Sequence, residues 1–314
     1  MQMFSKTPTI PFMELKKKAL IASGVILLIC LAAIAGRGLN LGIDFTGGTL
    51  IEVGYQSAPD LNNVRSELEE NGFSDAVVQH FGTVKDVLVR IAPREGVSNT
   101  DLSNQMLTIL QKTSPDGVEM RRIEFVGPQI GDELVEKGGM AMLIALGCIL
   151  IYVALRFEKR FALGSVAALI HDVIFTIGIF AIFQLEFDLT VLAAVLAVIG
   201  YSLNDTIVVF DRVRENFRIM RKGTPEDVMN NSINQTLSRT LMTSLTTLLV
   251  LAALFIFGGE LIHGFATALI IGVVVGTYSS IYVASATALL LGVTKQDLMP
   301  PEKEGEDQES TPIL

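Results

Sequence analysis

Six long apolar stretches constrain this chain more than any other feature. They run from Ala19 to Ala35, Gly138 to Leu155, Phe161 to Phe183, Leu189 to Phe210, Leu241 to Phe257 and Gly264 to Gly292. A helix needs about 20 residues to cross a bilayer core of about 30 Å. The shortest stretches, of 17 and 18 residues, lie at the low end of that range. Half of the residues are apolar, only 18% are charged, and the mean hydropathy is +0.50. A single soluble core does not hide six such stretches. The chain therefore reads as an α-helical polytopic membrane protein with six transmembrane helices.

This division predicts a terminal segment 1–18, a first span 19–35, a soluble domain 36–137, a five-helix membrane domain 138–292 (138–155, 161–183, 189–210, 241–257 and 264–292) and a tail 293–314. The tail, with its PPEKEGEDQEST run, is acidic and reads as disordered. Lys and Arg in the short loops predict orientation. Lys6, Lys16, Lys17 and Lys18 precede the first stretch; Arg156, Lys159 and Arg160 follow the second; Arg212, Arg214, Arg218, Arg221, Lys222 and Arg239 lie between the fourth and fifth. The alternate loops, 184–188 and 258–263, hold only Glu186, Asp188 and Glu260. Both termini are expected in the cytoplasm, with 36–137 across the membrane. Ala33-Ile34-Ala35 before Gly36 resembles a signal cleavage site, but the stretch before it is longer than a usual signal core and favours an uncleaved span.

Within 36–137 the periodicity alternates. Thr49–Tyr55 reads as a strand, Asp60–Asn71 as a helix with Leu61, Val64 and Leu68 on one face, and Ala76–Phe81 with Val87–Ile91 as a hairpin around Gly82. Asn99–Thr113 puts Leu102, Met106, Ile109 and Leu110 on a second helical face, and Val118–Val126 is a fourth strand. The order β-α-β-β-α-β predicts an α+β ferredoxin-like domain, two helices over an antiparallel sheet. That arrangement identifies no function.

Several classes of function find no support. No basic patch with interleaved aromatics occurs and Trp is absent, so nucleic-acid binding is not expected. Cys30 and Cys148 fall inside apolar stretches and read as small core residues; His80, His171 and His263 are too dispersed to form a metal set. Asp60, Glu67, Glu69, Glu70 and Asp75 read as a solvated face, and no catalytic set is found. GIDFTGGT, residues 42–49, lacks the Lys of a phosphate-binding loop and reads as a tight turn leading into the first strand. Neither enzymatic activity nor a bound cofactor is expected.

Ionisable groups inside the bilayer are costly and are functional candidates by default. The third stretch contains His171 and Asp172, and the fourth contains Asn204 and Asp205. Asp205 lies about 9 Å inside the apolar edge and Asp172 about 18 Å, near the midplane. Ser202 and Asp205 share a helical face, as do Ser165, Ala168, Asp172 and Thr176, while Gly272 and Gly276 in the sixth stretch permit close helix packing. His171 points about 100° away from Asp172 on a helix, so it need not be its partner. Burial raises a carboxyl's proton affinity and a nearby Arg lowers it, so Asp205, with Asp172 as a second candidate and Arg239 at the mouth of the fifth stretch, is suited to switching charge with conformation.

GIDFTGGTLIEV (42–53), FVGPQIGDEL (125–134), IGYSLNDTIVVFDRVREN (199–216) and TLSRTLMTS (236–244) resemble the SecF family. That family is one half of the SecD/SecF group of bacterial protein-export membrane proteins, within the RND superfamily. The resemblance covers nearly the whole chain apart from the acidic tail. It implies an inner-membrane protein that pairs with SecD, associates with the SecYEG translocon, YajC and YidC, and assists the export of preproteins using the proton motive force. Protons would be the coupling ion. It also implies that Asp205 is the proton site, that Arg239 is the family's arginine of the fifth span, and that 36–137 is a periplasmic domain. Two other readings stand beside it: a passive scaffold of the translocon, and an RND-type exporter of small molecules.

Overall fold

A computed structural model describes residues 8–94, 99–114, 117–220 and 222–294. Its elements, in chain order, begin with a short 3-10 helix (Phe12–Leu15), followed by α1 (Lys16–Arg37), β1 (Asn40–Leu41), α2 (Ile43–Thr46), β2 (Gly48–Tyr55), α3 (Leu61–Glu70), β3 (Val77–Phe81), β4 (Thr83–Ile91), α4 (Asn99–Lys112) and β5 (Val118–Val126). Then come α5 (Pro128–Arg156), α6 (Lys159–Phe183), β6 (Glu186–Phe187), α7 (Leu189–Ile219), α8 (Pro225–Phe257), α9 (Glu260–Ser279), a π-helical turn (Ser280–Ala284) and α10 (Ser285–Leu290). Among the described residues, six helical segments are long and apolar enough to cross a membrane, the last of them running through the π turn. Of the tail, residues 295–314 lie outside the described part, as do residues 1–7.

The helices outrun the apolar stretches that announce them. α5 starts at Pro128, whose missing N–H is an orphan at a helix start anyway. α7 continues past Phe210 through charged turns in which Arg212 and Glu215 pair at 2.5 Å. α8 starts at Pro225 on a capping box, with Thr224 and Asp227 satisfying each other's backbone N–H. An apolar run reports where a helix is buried in lipid, whereas its ends are set by caps and side-chain pairs.

The domain between α1 and α5 has its sheet in the order β3-β4-β2-β5, with every neighbouring pair antiparallel. This is the expected ferredoxin-like arrangement. Ile51 pairs with Val89 and Val53 with Val87, so one face carries their side chains into a core closed by Val64 and Leu68 of α3 and by Leu102, Met106 and Leu110 of α4. The other face is not free. Leu50 and Leu88 are buried against Ile43 of α2, which explains why β2 is apolar on both sides.

GIDFTGG forms a one-turn helix followed by the glycine pair Gly47 and Gly48, at φ 65° and 121°. A Cβ on Gly48 would run into the Ile91 carbonyl, so close strand approach as well as backbone conformation requires glycine there. The same segment joins the domain to the helices. β1 pairs in parallel with β6, and Asp44 Oδ2 accepts from the Leu189 amide at the start of α7 at 3.0 Å.

In the bundle, Gly272 of α9 lies against Val198 of α7, Gly276 against Ser202, and Gly178 of α6 against Cys30 of α1. Cys30 is buried as expected, but Cys148 is exposed, because α5 stands largely clear of the other helices. Apolar faces of α1, α5 and α8 are likewise uncovered, with Leu28 at 68% exposure, Leu143 at 67% and Phe257 at 85%. At the terminal end, Phe12 and Met13 are buried over the bundle, and Asn230 and Asn234 of α8 hold the backbone of residues 10–13.

Candidate functional site

The predicted face of α6 is buried: Ser165, Ala168, Asp172 and Thr176 are all at 0% exposure. Ser165 and Thr176 satisfy themselves on carbonyls of their own helix, those of Phe161 and Asp172. Asp172 is different, because its carboxylate collects donors from three helices. His171 Nδ1 lies 2.9 Å from Oδ1, and Ser202 of α7 and Ser279 of α9 donate to Oδ2 at 2.5 and 2.6 Å. Sequence spacing alone does not pair His171 with Asp172. The structure makes it a partner, since rotation about its side-chain torsions brings the ring back along the helix surface. The His171 ring is only 3% exposed and lies 6.1 Å from that of Tyr278.

Asp205 sits in a second cluster one turn along α7 from Ser202, at 7% exposure. Thr240 of α8 donates to Oδ1 at 2.7 Å and Ser280 to Oδ2 at 2.5 Å. An ionised carboxylate with two charge-assisted donors is stabilised without a cation. A polar ladder continues beside it, with Tyr201 donating to Ser244 at 3.3 Å and Ser244 in contact with Thr277 at 2.7 Å.

The five residues singled out by sequence divide. Asp172 and Ser202 meet directly, and Asp205 lies in the neighbouring cluster. Arg239 is exposed and, among the described residues, makes no ion pair with Asp205, although it is near enough for its charge to act there. Thr240 faces the carboxylate instead; adjacent helical residues point about 100° apart, so both cannot. Asn204 is exposed on α7 for the same reason. Thr240, Ser279 and Ser280 were legible only as polar residues on small faces, because a carboxylate on another helix selects them and no spacing within their own helix does so.

A second polar region lies between the domain and the bundle. A cavity of about 400 Å³ is lined by Asp44, Arg122, Glu124, Glu186, Asp188 and His263, among others. Asp188 caps α7 through the Val191 amide at 2.8 Å, and Arg122 pairs with Glu124. Burial pushes the Glu186 carboxyl above the usual carboxylate range, against the opposing pull of Arg90.

Residues 105–294 match the family described as protein export membrane protein SecD/SecF, C-terminal, and residues 32–59 match the SecD/SecF GG motif, which contains Gly47 and Gly48. The chain is 55% identical over 313 residues to the protein translocase subunit SecF of Vibrio alginolyticus, covering 99% of both chains. It is 50% identical to that of Pseudomonas aeruginosa, covering 95% of this chain and 96% of the other. The crystal structure of SecDF from a Thermus species, described as a translocon-associated membrane protein, superposes with a TM-score of 0.83 at 38% identity. The match covers 92% of this chain and 39% of that longer one. A family match over most of the membrane domain, near-complete coverage of these relatives and a shared fold lead to one conclusion: the chain belongs to the SecD/SecF family of protein-export membrane proteins.

Proposed function

We propose that this multi-pass membrane protein, whose family gives it a role in protein export, is the SecF-type half of a SecDF complex. In this reading it draws on the proton motive force to assist preprotein translocation. The observation that carries the reading is Asp205, a carboxyl buried among hydroxyls inside a bundle of membrane-spanning helices. Such a group binds a proton when its donors withdraw and releases it when they return. Two conformations with different proton affinities are what coupling requires. One charge crossing 100 mV yields about 2.3 kcal/mol, so a few protons bias a two-state equilibrium decisively.

In the proposal Asp205 is the proton site, Asp172 is a second buried carboxylate of the same apparatus, and Ser202 positions it. Arg239 supplies positive charge at the mouth of the site. Asn204, on the outer face of α7, is a supporting polar group beside it. SecD is the partner, and the uncovered faces of α1, α5 and α8 are surfaces where it or lipid would lie. SecYEG, YajC and YidC are the further assembly partners. The protein lies in the bacterial inner membrane with both termini cytoplasmic and the ferredoxin-like domain in the periplasm, as the distribution of Lys and Arg supports. Protons are the coupling ion and no bound cofactor is invoked.

The test is export rate against proton motive force in vesicles containing the complete translocon. Asp205→Asn keeps shape while removing the titration, and is expected to abolish proton-dependent stimulation with assembly intact. Unchanged stimulation would leave a scaffold role as the better account.

A further inference from the structure

Two buried carboxylates on different helices are held by consecutive residues of a third. Ser279 Oγ donates to Asp172 Oδ2 at 2.6 Å, and Ser280 Oγ donates to Asp205 Oδ2 at 2.5 Å. Consecutive helical side chains diverge by about 100°, so one helix edge can address two flanking helices at once. The pair sits where α9 gives way to the π turn Ser280–Ala284. Gly164 of α6 leaves room for that turn, since a Cβ there would come 2.8 Å from the Ala284 carbonyl oxygen. π turns are rare insertions into α-helix and cluster at functional sites. Moving such an insertion along a helix rotates the intervening residues by about 100°, which would swing both serines off their carboxylates together.

We propose that Ser279 and Ser280 are positioning residues that tie the protonation of Asp205 to the Asp172–His171 pair, with the π turn as the element that has two states. The proposal rests on the reading above, in which Asp205 exchanges a proton. A hydrogen bond to an ionised carboxylate is about twice as strong as one to a neutral group. Protonation of Asp205 therefore loosens Ser280 and favours the other register of the turn. Ser279 then leaves Asp172, whose remaining donors are Ser202 from α7 and His171 on its own helix. A buried carboxylate that loses a donor leans harder on those that remain, and His171 feels the change. The other groups facing the pair are Tyr278 of α9, beside the His171 ring, and Ser23 of α1, 3.0 Å from the Tyr278 hydroxyl. From α8, Thr240 faces Asp205, while Arg239, on the exposed side of the helix, acts there only through its charge.

His171 is a built-in reporter, because the chain has only three histidines. The experiment records imidazole 15N resonances of the full chain, reconstituted with its partner subunit, for wild type and Asp205→Asn. The His171 resonances are expected to move, with His80 on distant β3 unchanged. In a Ser279→Ala/Ser280→Ala background the movement produced by Asp205→Asn is expected to be lost, and proton-dependent stimulation of export with it. Ser280→Thr keeps the hydroxyl and is expected to keep both, so it serves if the double variant does not assemble. A His171 signal indifferent to Asp205→Asn, or one that moves equally with and without the two serines, overturns the proposal. Export that survives Asp205→Asn would instead defeat the proton reading itself, a result the resonances do not depend on.

Discussion

At the scale of single residues, the strongest constraints lie where a side chain would have nowhere to go. Gly48 combines a φ of 121° with a position hard against the Ile91 carbonyl. Gly48→Ala should cost about 3 kcal/mol, from the backbone conformation and the strand displacement together. Thermal unfolding of the detergent-solubilised full chain checks this; an unchanged Tm would mean that the two strands part without penalty. Glu186 makes a prediction of opposite sign. Its carboxyl is raised in the folded protein, so its contribution to stability is fully present below the ordinary carboxylate range. That contribution is lost as pH rises towards the raised folded value. Glu186→Gln should therefore raise Tm by about 1–3 °C at neutral pH and lose that advantage in acid. A benefit that grew on acidification would contradict the burial argument. Asp172 and Asp205 were legible in the sequence because an ionisable group within an apolar stretch is conspicuous. Their partners were not, because hydroxyls are common in such helices and only the fold says which of them meets a carboxylate.

At the scale of elements, sequence pattern and structure agree where a periodicity has one meaning. The two apolar faces of α3 and α4 appear as drawn, and Gly82 turns the hairpin at φ 71°. The expected GxxxG contact is also present, with Gly272 and Gly276 admitting α7. Helix ends were less legible, because α5, α7 and α8 continue beyond the lipid-facing residues that reveal them. The π turn was invisible to any pattern count, since it is a departure from the period being counted. Gly272→Ile tests the α7–α9 contact: even a Cβ there overlaps Val198, so about 1–3 kcal/mol should be lost and the helices pushed apart. Disulfide trapping between cysteines placed on α7 and α9 would report the separation. Trapping as efficient as in the parent would mean that the glycine is incidental.

At the scale of the whole molecule, the question is how the ferredoxin-like domain is held to the helices. Among the described residues, the connections gather in one place. β1 pairs with β6, Arg90 Nη1 donates to the Leu41 carbonyl at 2.5 Å, Gly131 of α5 lies against Gly47, and Asp44 accepts from Leu189. All of them involve the segment of residues 40–47, so that segment is the joint, and it lies inside the family's GG motif. Asp44 is its most informative member, because its carboxylate belongs to the domain side while its donor is the first amide of a helix carrying Asp205. Asp44→Ala should leave α7 itself folded, since Asp188 still caps the Val191 amide. What it removes is one charge-assisted bond at a helix N-terminus, about 1 kcal/mol, or about fivefold in a local opening equilibrium. Hydrogen exchange should therefore quicken about fivefold at amides of α2 and the first turn of α7, while β2 and β4, which belong to the domain's own core, keep their protection. Exchange that quickened throughout the domain would show that the sheet depends on the bundle for its stability. No change at the first turn of α7 would show that Asp44 does not hold the joint.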